Sequence, residues 1–76
     1  MTKVFPTLKE LRKSRRITRR ELASRIGSST RDIWDWERGE EVPPSAMVIR
    51  LSEIFCVSVT EVYKAIIMTP FRKAIL

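Results

Sequence analysis

Arg31, Trp34 and Asp35 bring a guanidinium, an indole and a carboxylate together within five consecutive positions. A guanidinium can donate two hydrogen bonds to guanine, and a carboxylate can accept one from cytosine N4. At 100° per residue on a helix, these side chains lie opposite Ile33 and Trp36. One side of such a helix can be buried while the other side contacts bases. The alternative is an ordinary solvated helix surface with one exposed aromatic residue.

Two helix starts and a turn must position this surface. Thr18 with Glu21, and Ser29 with Asp32, each form a capping-box pattern for N–H groups that the first turn of a helix leaves unpaired. Gly27 lies between the two patterns, where a helix commonly ends on a left-handed residue. The spacing predicts two short helices joined by a tight turn, which is a helix-turn-helix.

Three further helices are predicted around this pair. Thr7 with Glu10 and Ser58 with Glu61 repeat the capping pattern, and Pro44 can occupy the first turn of another helix. The expected helices cover about residues 7–14, 18–27, 29–38, 44–55 and 58–68. We therefore expect an all-α fold, a compact five-helix bundle that contains the helix-turn-helix. The expected organisation is an N-terminal arm (1–6), the DNA-binding domain (7–68) and an apolar C-terminal tail (69–76).

The positive charge is concentrated in the first half of the chain. The formal net charge is +6, and residues 1–38 carry 11 Lys or Arg and 5 Asp or Glu, whereas residues 39–76 carry 4 of each. A basic surface raises the affinity for any polyanion but confers no sequence preference. Solubility alone can explain a charge of this size, so the asymmetry is the more informative feature.

The residue inventory gives no support for catalysis. The chain has no histidine, a single cysteine and no Gly-rich phosphate loop, so neither a nucleophile with its base nor a zinc ligand set is visible. We expect no enzyme activity, no cofactor and no metal. Cys56 is expected to be a small buried residue rather than a redox sensor. Without a disulfide pair, a signal peptide or a long apolar run, the expected location is cytoplasmic and nucleoid-associated, away from membranes.

The last predicted helix and the tail are apolar on more than one side. One stripe is formed by Val59, Val62 and Ile66, a second by Tyr63 and Ile67, and the tail adds Met68, Phe71, Ile75 and Leu76. A small domain can hardly bury both stripes, and large exposed apolar patches are uncommon on monomers. We therefore expect a homodimer or a protein partner at the surface of Tyr63, Ile67 and Phe71. The alternative is a tail that folds back over its own core.

The spacing of one set of apolar, charged and turn residues within residues 7–63 is specific when the residues are taken together. They are Leu8, Leu11, Glu21-Leu22-Ala23, Gly27, Ile33, Trp36, Glu37-Arg38-Gly39, Pro43 and Val57-Ser58. In these residues the chain resembles the phage-repressor and Cro type of helix-turn-helix domain, also called Xre-like. The resemblance implies a lambda-repressor-like fold. It also implies a transcriptional regulator that binds double-stranded DNA, and activators and repressors use the same domain. As a dimer, such a protein would bind an inverted repeat with half-sites roughly 34 Å apart.

The resemblance also assigns roles to individual residues. Thr30, Arg31 and Asp35 match positions that read bases in the major groove. Trp34 matches a position that does not usually contact bases; we add it because it can pack against sugars or a thymine methyl group, and the alternative is that it is merely exposed. Thr18 and Arg19 match positions that contact phosphates or bases, and Arg38 matches a phosphate contact. To the residues expected at phosphates we add, from the sequence itself, Arg16. It belongs to the basic run of Arg12, Lys13, Arg15 and Arg16, which is otherwise interpreted as a solvated loop. Arg12 and Glu37 match a buried ion pair.

The chain departs from the family pattern at several positions. The helix expected at about residues 29–38 is the recognition helix, the one offered to the major groove of DNA. Acidic residues occur in it or after it at Asp32, Asp35 and Glu40-Glu41, although Asp32 is expected to serve its own helix cap. Arg16 and Cys56 stand where glycine is common, so differently shaped helix ends are expected there. The competing function is a protein-interaction module on the same fold, such as an antitoxin-like or regulator-binding protein. RNA binding is a further alternative, although the stacking aromatics of sheet-based RNA readers are absent.

Overall fold

The computed structural model describes residues 5–69, and all its regular elements in that range are α-helices. They are α1 (Leu8–Ser14), α2 (Arg19–Ile26), α3 (Thr30–Arg38), α4 (Ser45–Phe55) and α5 (Val59–Met68). The expected all-α fold of five helices is thus confirmed. Pro44 immediately precedes α4 as its N-cap rather than occupying its first turn.

Hydroxyl side chains begin four of the five helices, as the sequence predicts. Thr7 and Ser29 form complete capping boxes, in which Glu10 and Asp32 accept a hydrogen bond from the N-cap N–H in return. Thr18 and Ser58 accept from the third helical N–H, without a full box at either site. At α2 and α5 the prediction of a complete box was therefore wrong. At α2 the Glu21 carboxylate instead lies 3.9 Å from Arg25 one turn later.

Four of the residues that the structure describes take the left-handed conformation. Gly27 and Gly39 end α2 and α3 with φ of 75° and 77°, while Arg16 and Cys56 have φ of 58° and 59°. The expectation of a different shape at Arg16 and Cys56 was wrong, since both adopt the conformation that glycine favours. For an L-residue this conformation is disfavoured by roughly 1–2 kcal/mol.

Cys56 is exposed, so the expectation that it is buried was also wrong. It is the C-cap of α4, immediately after the fully buried Phe55. Its Sγ lies 3.8 Å from the carbonyl oxygen of Glu53 at the end of the helix. The left-handed turn there places the phenyl ring in the core and the thiol outside it.

The core lies between the helix-turn-helix and the C-terminal pair of helices. Helices α2 and α3 pack on each other, α4 packs on α5, and α1 contacts both α3 and α5. The largest fully buried side chains are Phe55, Ile26, Ile33, Leu51, Val48 and Val62. Each such side chain contributes about 1.5–3 kcal/mol through removal of apolar surface from water, so the core is what fixes α3 in place.

Helix α5 uses a narrower buried stripe than the sequence predicts. Val62 and Ala65 are fully buried, whereas Val59 is exposed together with Tyr63 and Ile67. The assignment of Val59 to the same stripe as Val62 was therefore wrong, because a spacing of four residues places it above Tyr63. Phe71, the third residue expected on the partner surface, lies outside the described residues.

Thr69 connects the end of α5 to the start of α1. Its side chain is buried, its Oγ1 accepts a hydrogen bond from the Leu8 N–H at 3.1 Å, and its hydroxyl donates to the Ala65 carbonyl at 2.9 Å. Leu8 N–H is one of the donors that the first turn of a helix leaves unpaired. The packed unit therefore includes Thr69, which the sequence assigns to the tail.

Within residues 5–69, no helix combines the length and apolarity needed to cross a membrane. The same residues hold no group of three or more His, Cys, Asp or Glu that could bind a metal ion.

Candidate nucleic-acid interface

Helix α3 is fixed to the core by one side only. Ile33 and Trp36 are only 1% and 7% exposed to solvent, while the side chain of Arg31 on the opposite side is 75% exposed. Thr30 is exposed as well. The Ser29 cap and the left-handed Gly27 set the angle at which α3 follows α2. The helix therefore presents a polar side to solvent on a rigid support.

Arg31 and Asp35 form an ion pair on that outward side. Arg31 Nε donates to Asp35 Oδ1 at 3.2 Å, across one helical turn. The carboxylate is only 19% exposed, so it is the better shielded partner of the two. Sequence reasoning treated each residue as a separate reader, although the spacing of four residues is a known signal for a side-chain pair.

Trp34 and Arg38 form a second contact one turn further on. The Arg38 guanidinium carbon lies 4.5 Å from the centre of the Trp34 ring, which is the geometry of a cation–π contact. Arg38 Nη2 also lies 3.7 Å from Glu40 Oε2. The indole is nevertheless 43% exposed, so its free surface is available beside Arg31.

Glu37 joins three helices through its two carboxylate oxygens. Oε2 accepts from Arg12 Nε at 2.6 Å, and Oε1 accepts from Arg12 Nη2 at 3.2 Å and from Arg19 Nε at 3.0 Å. Arg12 Nη1 also donates to the Ile17 carbonyl at 2.8 Å. The Arg12–Glu37 pair implied by the resemblance is therefore present, with both side chains almost completely buried.

Arg19 is the partner of Glu37 that sequence reasoning missed. Its side chain is 35% exposed, in contrast to the buried Arg12. Only its Nε donates to Glu37, so the terminal nitrogens are not used by that bond. Arg19 lies at the start of α2, and the buried Glu37 carboxylate holds it there.

Two other arginines serve the fold. Arg15 Nε donates to the Phe55 carbonyl at 2.8 Å, and Arg50 Nη1 donates to the Ile26 carbonyl at 2.8 Å. Each therefore binds a carbonyl that the last turn of a helix leaves without an intrahelical partner. The interpretation of the basic run as a solvated loop was wrong for Arg12, which is buried, and for Arg15, which is exposed but bound to the Phe55 carbonyl. Lys13 and Arg16 are exposed.

Asp32 is occupied at the start of α3, as expected from the sequence. The Ser28 hydroxyl donates to Asp32 Oδ2 at 2.6 Å, and the Ser29 N–H lies 3.5 Å from the same oxygen. The bond from Ser28 and then that from Ser29 lower the pKa of Asp32 below its usual 3.8. A negative charge at this position also complements the positive end of the helix dipole.

The predicted contact residues thus fall into two groups. Thr30, Arg31 and Trp34 are exposed on α3, with the more shielded Asp35 beside them. Among those expected at phosphates, Arg16 and Thr18 are exposed and Arg19 and Arg38 are partly buried. Thr18 Oγ1 already caps α2 by accepting from the Glu21 N–H at 3.0 Å.

A helix anchored by one side, preceded by a shorter helix and a glycine turn, defines the helix-turn-helix class of DNA-binding domain. The family model for the helix-turn-helix domain matches residues 7–63. Because this match covers most of the chain, the protein belongs to the helix-turn-helix domain family, in agreement with the resemblance to phage repressors. Comparisons with curated proteins and with solved structures find no match.

Proposed function

We propose that the protein is a sequence-specific regulator of transcription that places α3 in the major groove of double-stranded DNA. Thr30, Arg31, Trp34 and Asp35 face the bases, and Thr18, Arg19, Arg38 and Arg16 face the phosphates. The observation that carries the proposal is the two-sidedness of α3, whose Ile33 and Trp36 are buried while Arg31 extends into solvent. Family membership, which points to DNA binding, supports it independently.

Selection of bound duplexes from a randomised pool tests the proposal. The wild-type protein should enrich a defined site, and Arg31→Ala should lose the preference at one guanine position because one bidentate contact discriminates by about 1–3 kcal/mol. Arg25→Ala is the matched control, since Arg25 is also an exposed helical arginine paired with a carboxylate four residues away. An Arg31→Ala protein that enriches the same site as the wild type would contradict the proposed reading of bases.

Loss of a residue that contacts phosphates should change the affinity for DNA but not the sequence preference. Arg19→Ala should weaken binding to all duplexes alike and flatten the log–log salt dependence by about one unit, because one fewer counterion is released. The measurement is the dissociation constant at several salt concentrations. Unequal losses on different sequences would assign Arg19 to base reading instead.

We also propose that the protein binds as a homodimer through the exposed stripe of α5. Val59, Tyr63 and Ile67 follow one another at spacings of four residues, and Ile67 is 78% exposed. Two copies joined there would present two recognition helices to an inverted repeat with half-sites roughly 34 Å apart. The observation that supports this dimer is that the stripe is apolar and exposed to solvent along the length of the helix.

Sedimentation equilibrium distinguishes the dimer from its alternatives. Ile67→Glu should shift the protein to a monomer, whereas Ile49→Glu should not, because Ile49 is an exposed apolar residue on the neighbouring helix α4. A wild-type monomer at high micromolar concentration, with and without DNA, would contradict the dimer. The second candidate function, binding of a different protein through the same stripe, would then be favoured.

A further inference from the structure

The geometry of Arg31 and Asp35 leaves one part of the guanidinium available. Arg31 uses its Nε–H to bind Asp35 Oδ1. A guanidinium has five N–H donors in a planar fork, and four of them are on the terminal nitrogens. Guanine presents two acceptors, O6 and N7, side by side in the major groove. The terminal nitrogens of Arg31 therefore form the fork that a guanine edge requires.

The two partners also differ in how firmly they are held. The Asp35 carboxylate is 19% exposed, whereas the Arg31 side chain is 75% exposed. Arg31 is thus presented to solvent from a support that is itself packed against the protein. A free arginine carries much rotamer entropy, and a side chain that is already oriented loses less of it on binding.

Charge favours the same arrangement. An isolated carboxylate on the outward side of α3 would repel the phosphates that border the groove. Arg31 and Asp35 together add no net charge to that surface, because the positive guanidinium offsets the carboxylate. Its presence in a helix that approaches DNA is then explained by its effect on Arg31.

We propose that Asp35 is a positioning residue for Arg31 and that the two side chains recognise a single guanine as one unit. This inference rests on the proposed function and refines it: Asp35 acts through the arginine instead of selecting a base of its own. The ligand is a G·C pair in the major groove of duplex DNA.

A double-mutant cycle tests the proposal. Dissociation constants are measured for wild type, Arg31→Ala, Asp35→Ala and the double variant, on duplexes that carry each of the four bases at every position of the selected site. The expected result is that Asp35→Ala lowers the guanine preference about 2- to 12-fold, corresponding to the cost of immobilising one flexible side chain. It should do so at the position that Arg31→Ala affects, and the double variant should lose no more preference than Arg31→Ala.

Other outcomes overturn the proposal in distinguishable ways. A loss of preference at a different base position, additive in the double variant, would make Asp35 an independent reader. An unchanged preference with tighter binding to every duplex would reduce Asp35 to a repulsive charge. A wild-type protein without any preference would overturn the proposed function and this inference together.

Matched variants separate positioning from a general structural effect. Glu21 and Arg25 form the corresponding pair on α2, but their closest atoms are 3.9 Å apart and both side chains are about half exposed. Glu21→Ala should leave the guanine preference unchanged. Asp35→Asn should retain part of the preference, because its amide oxygen can still accept from Arg31 Nε. Loss of preference in Glu21→Ala, or none retained in Asp35→Asn, would contradict positioning by this hydrogen bond.

Discussion

Among the arginine–carboxylate pairs of helix α3, Arg12–Glu37 and Arg31–Asp35 use the same chemical groups in opposite environments. The side chains of Glu37 and its partner Arg12 are 4% and 7% exposed, whereas Asp35 binds an Arg31 whose side chain is 75% exposed. The first pair connects α1 to α3 through residues 25 positions apart in the chain. The second pair stays within one turn of a single helix.

Burial decides what each of these two pairs does. Removal of one partner from a buried pair leaves an uncompensated charge, whereas exposed pairs contribute little to stability and are screened by salt. The buried Glu37 carboxylate, with Arg12 and Arg19 bound to it, therefore stabilises the fold. The Arg31–Asp35 pair is free to exchange water for a ligand, and its value lies in orientation.

The largest effect should come from Glu37→Ala. This substitution leaves the buried Arg12 guanidinium without its carboxylate, and we expect a loss of about 3–5 kcal/mol in the free energy of unfolding. Arg12→Ala should cost less, because Glu37 keeps Arg19 at 3.0 Å. Urea denaturation measures both. Equal losses in the two variants would show that Arg19 does not compensate the carboxylate.

A smaller effect is expected at another buried polar contact, between Thr69 and Leu8. Thr69→Val removes the hydroxyl and leaves the buried Leu8 N–H unpaired, which should cost about 1–3 kcal/mol. Thr69→Ser keeps the hydroxyl and should retain most of that stability. The same denaturation experiment applies, and equal stability of the Val and Ser variants would rule out a contribution from the hydrogen bond.

On the exposed side, Asp35→Ala should change the free energy of unfolding by no more than about 0.5 kcal/mol, as for other exposed helical pairs. Circular dichroism during thermal unfolding measures it. A loss comparable to that of Glu37→Ala would remove the distinction between the two pairs, because Asp35 would then be part of the fold.

The smallest effect concerns pH. The lowered pKa of Asp32 means that its carboxylate stabilises the folded state fully at pH values above its usual 3.8, and that this contribution is lost as the pH falls through the lowered pKa. Thermal unfolding of wild type and Asp32→Asn should therefore differ more at pH 6 than at pH 2. A constant difference would show that the charge of Asp32 has no role in the cap.

Local signals in the sequence predicted most of the helix-turn-helix. Thr18, Ser29 and the glycines Gly27 and Gly39 act on backbone groups within a few residues, so their spacing sufficed to locate α2 and α3. The buried side of α3 followed from Ile33 and Trp36, because a helix repeats every 3.6 residues. The Arg12–Glu37 pair was expected from the family resemblance.

Contacts between distant residues could not be read in this way. Arg15 and Arg50 bind carbonyl oxygens 40 and 24 residues away. Nothing in the sequence distinguishes these two arginines from the other basic residues, so their contacts could not be predicted. The third partner of Glu37, Arg19, depends on how α2 packs against α3. The prediction that Cys56 is buried was wrong because it relied on the apolar neighbours of the residue, whereas the backbone at the end of α4 turns the side chain outward.

The hydrogen bond between Leu8 and Thr69 joins residues 61 positions apart, so the first and last turns of the packed helices lie side by side. Proteins with adjacent ends tolerate circular permutation when the new ends fall in an exposed loop. A short flexible linker between residues 7 and 70, with the chain opened at the exposed Glu41–Val42 bond, should give a permuted protein with the same helix packing. In such a protein the recognition helix would lie near the new C-terminus, where a fused reporter could follow its approach to DNA.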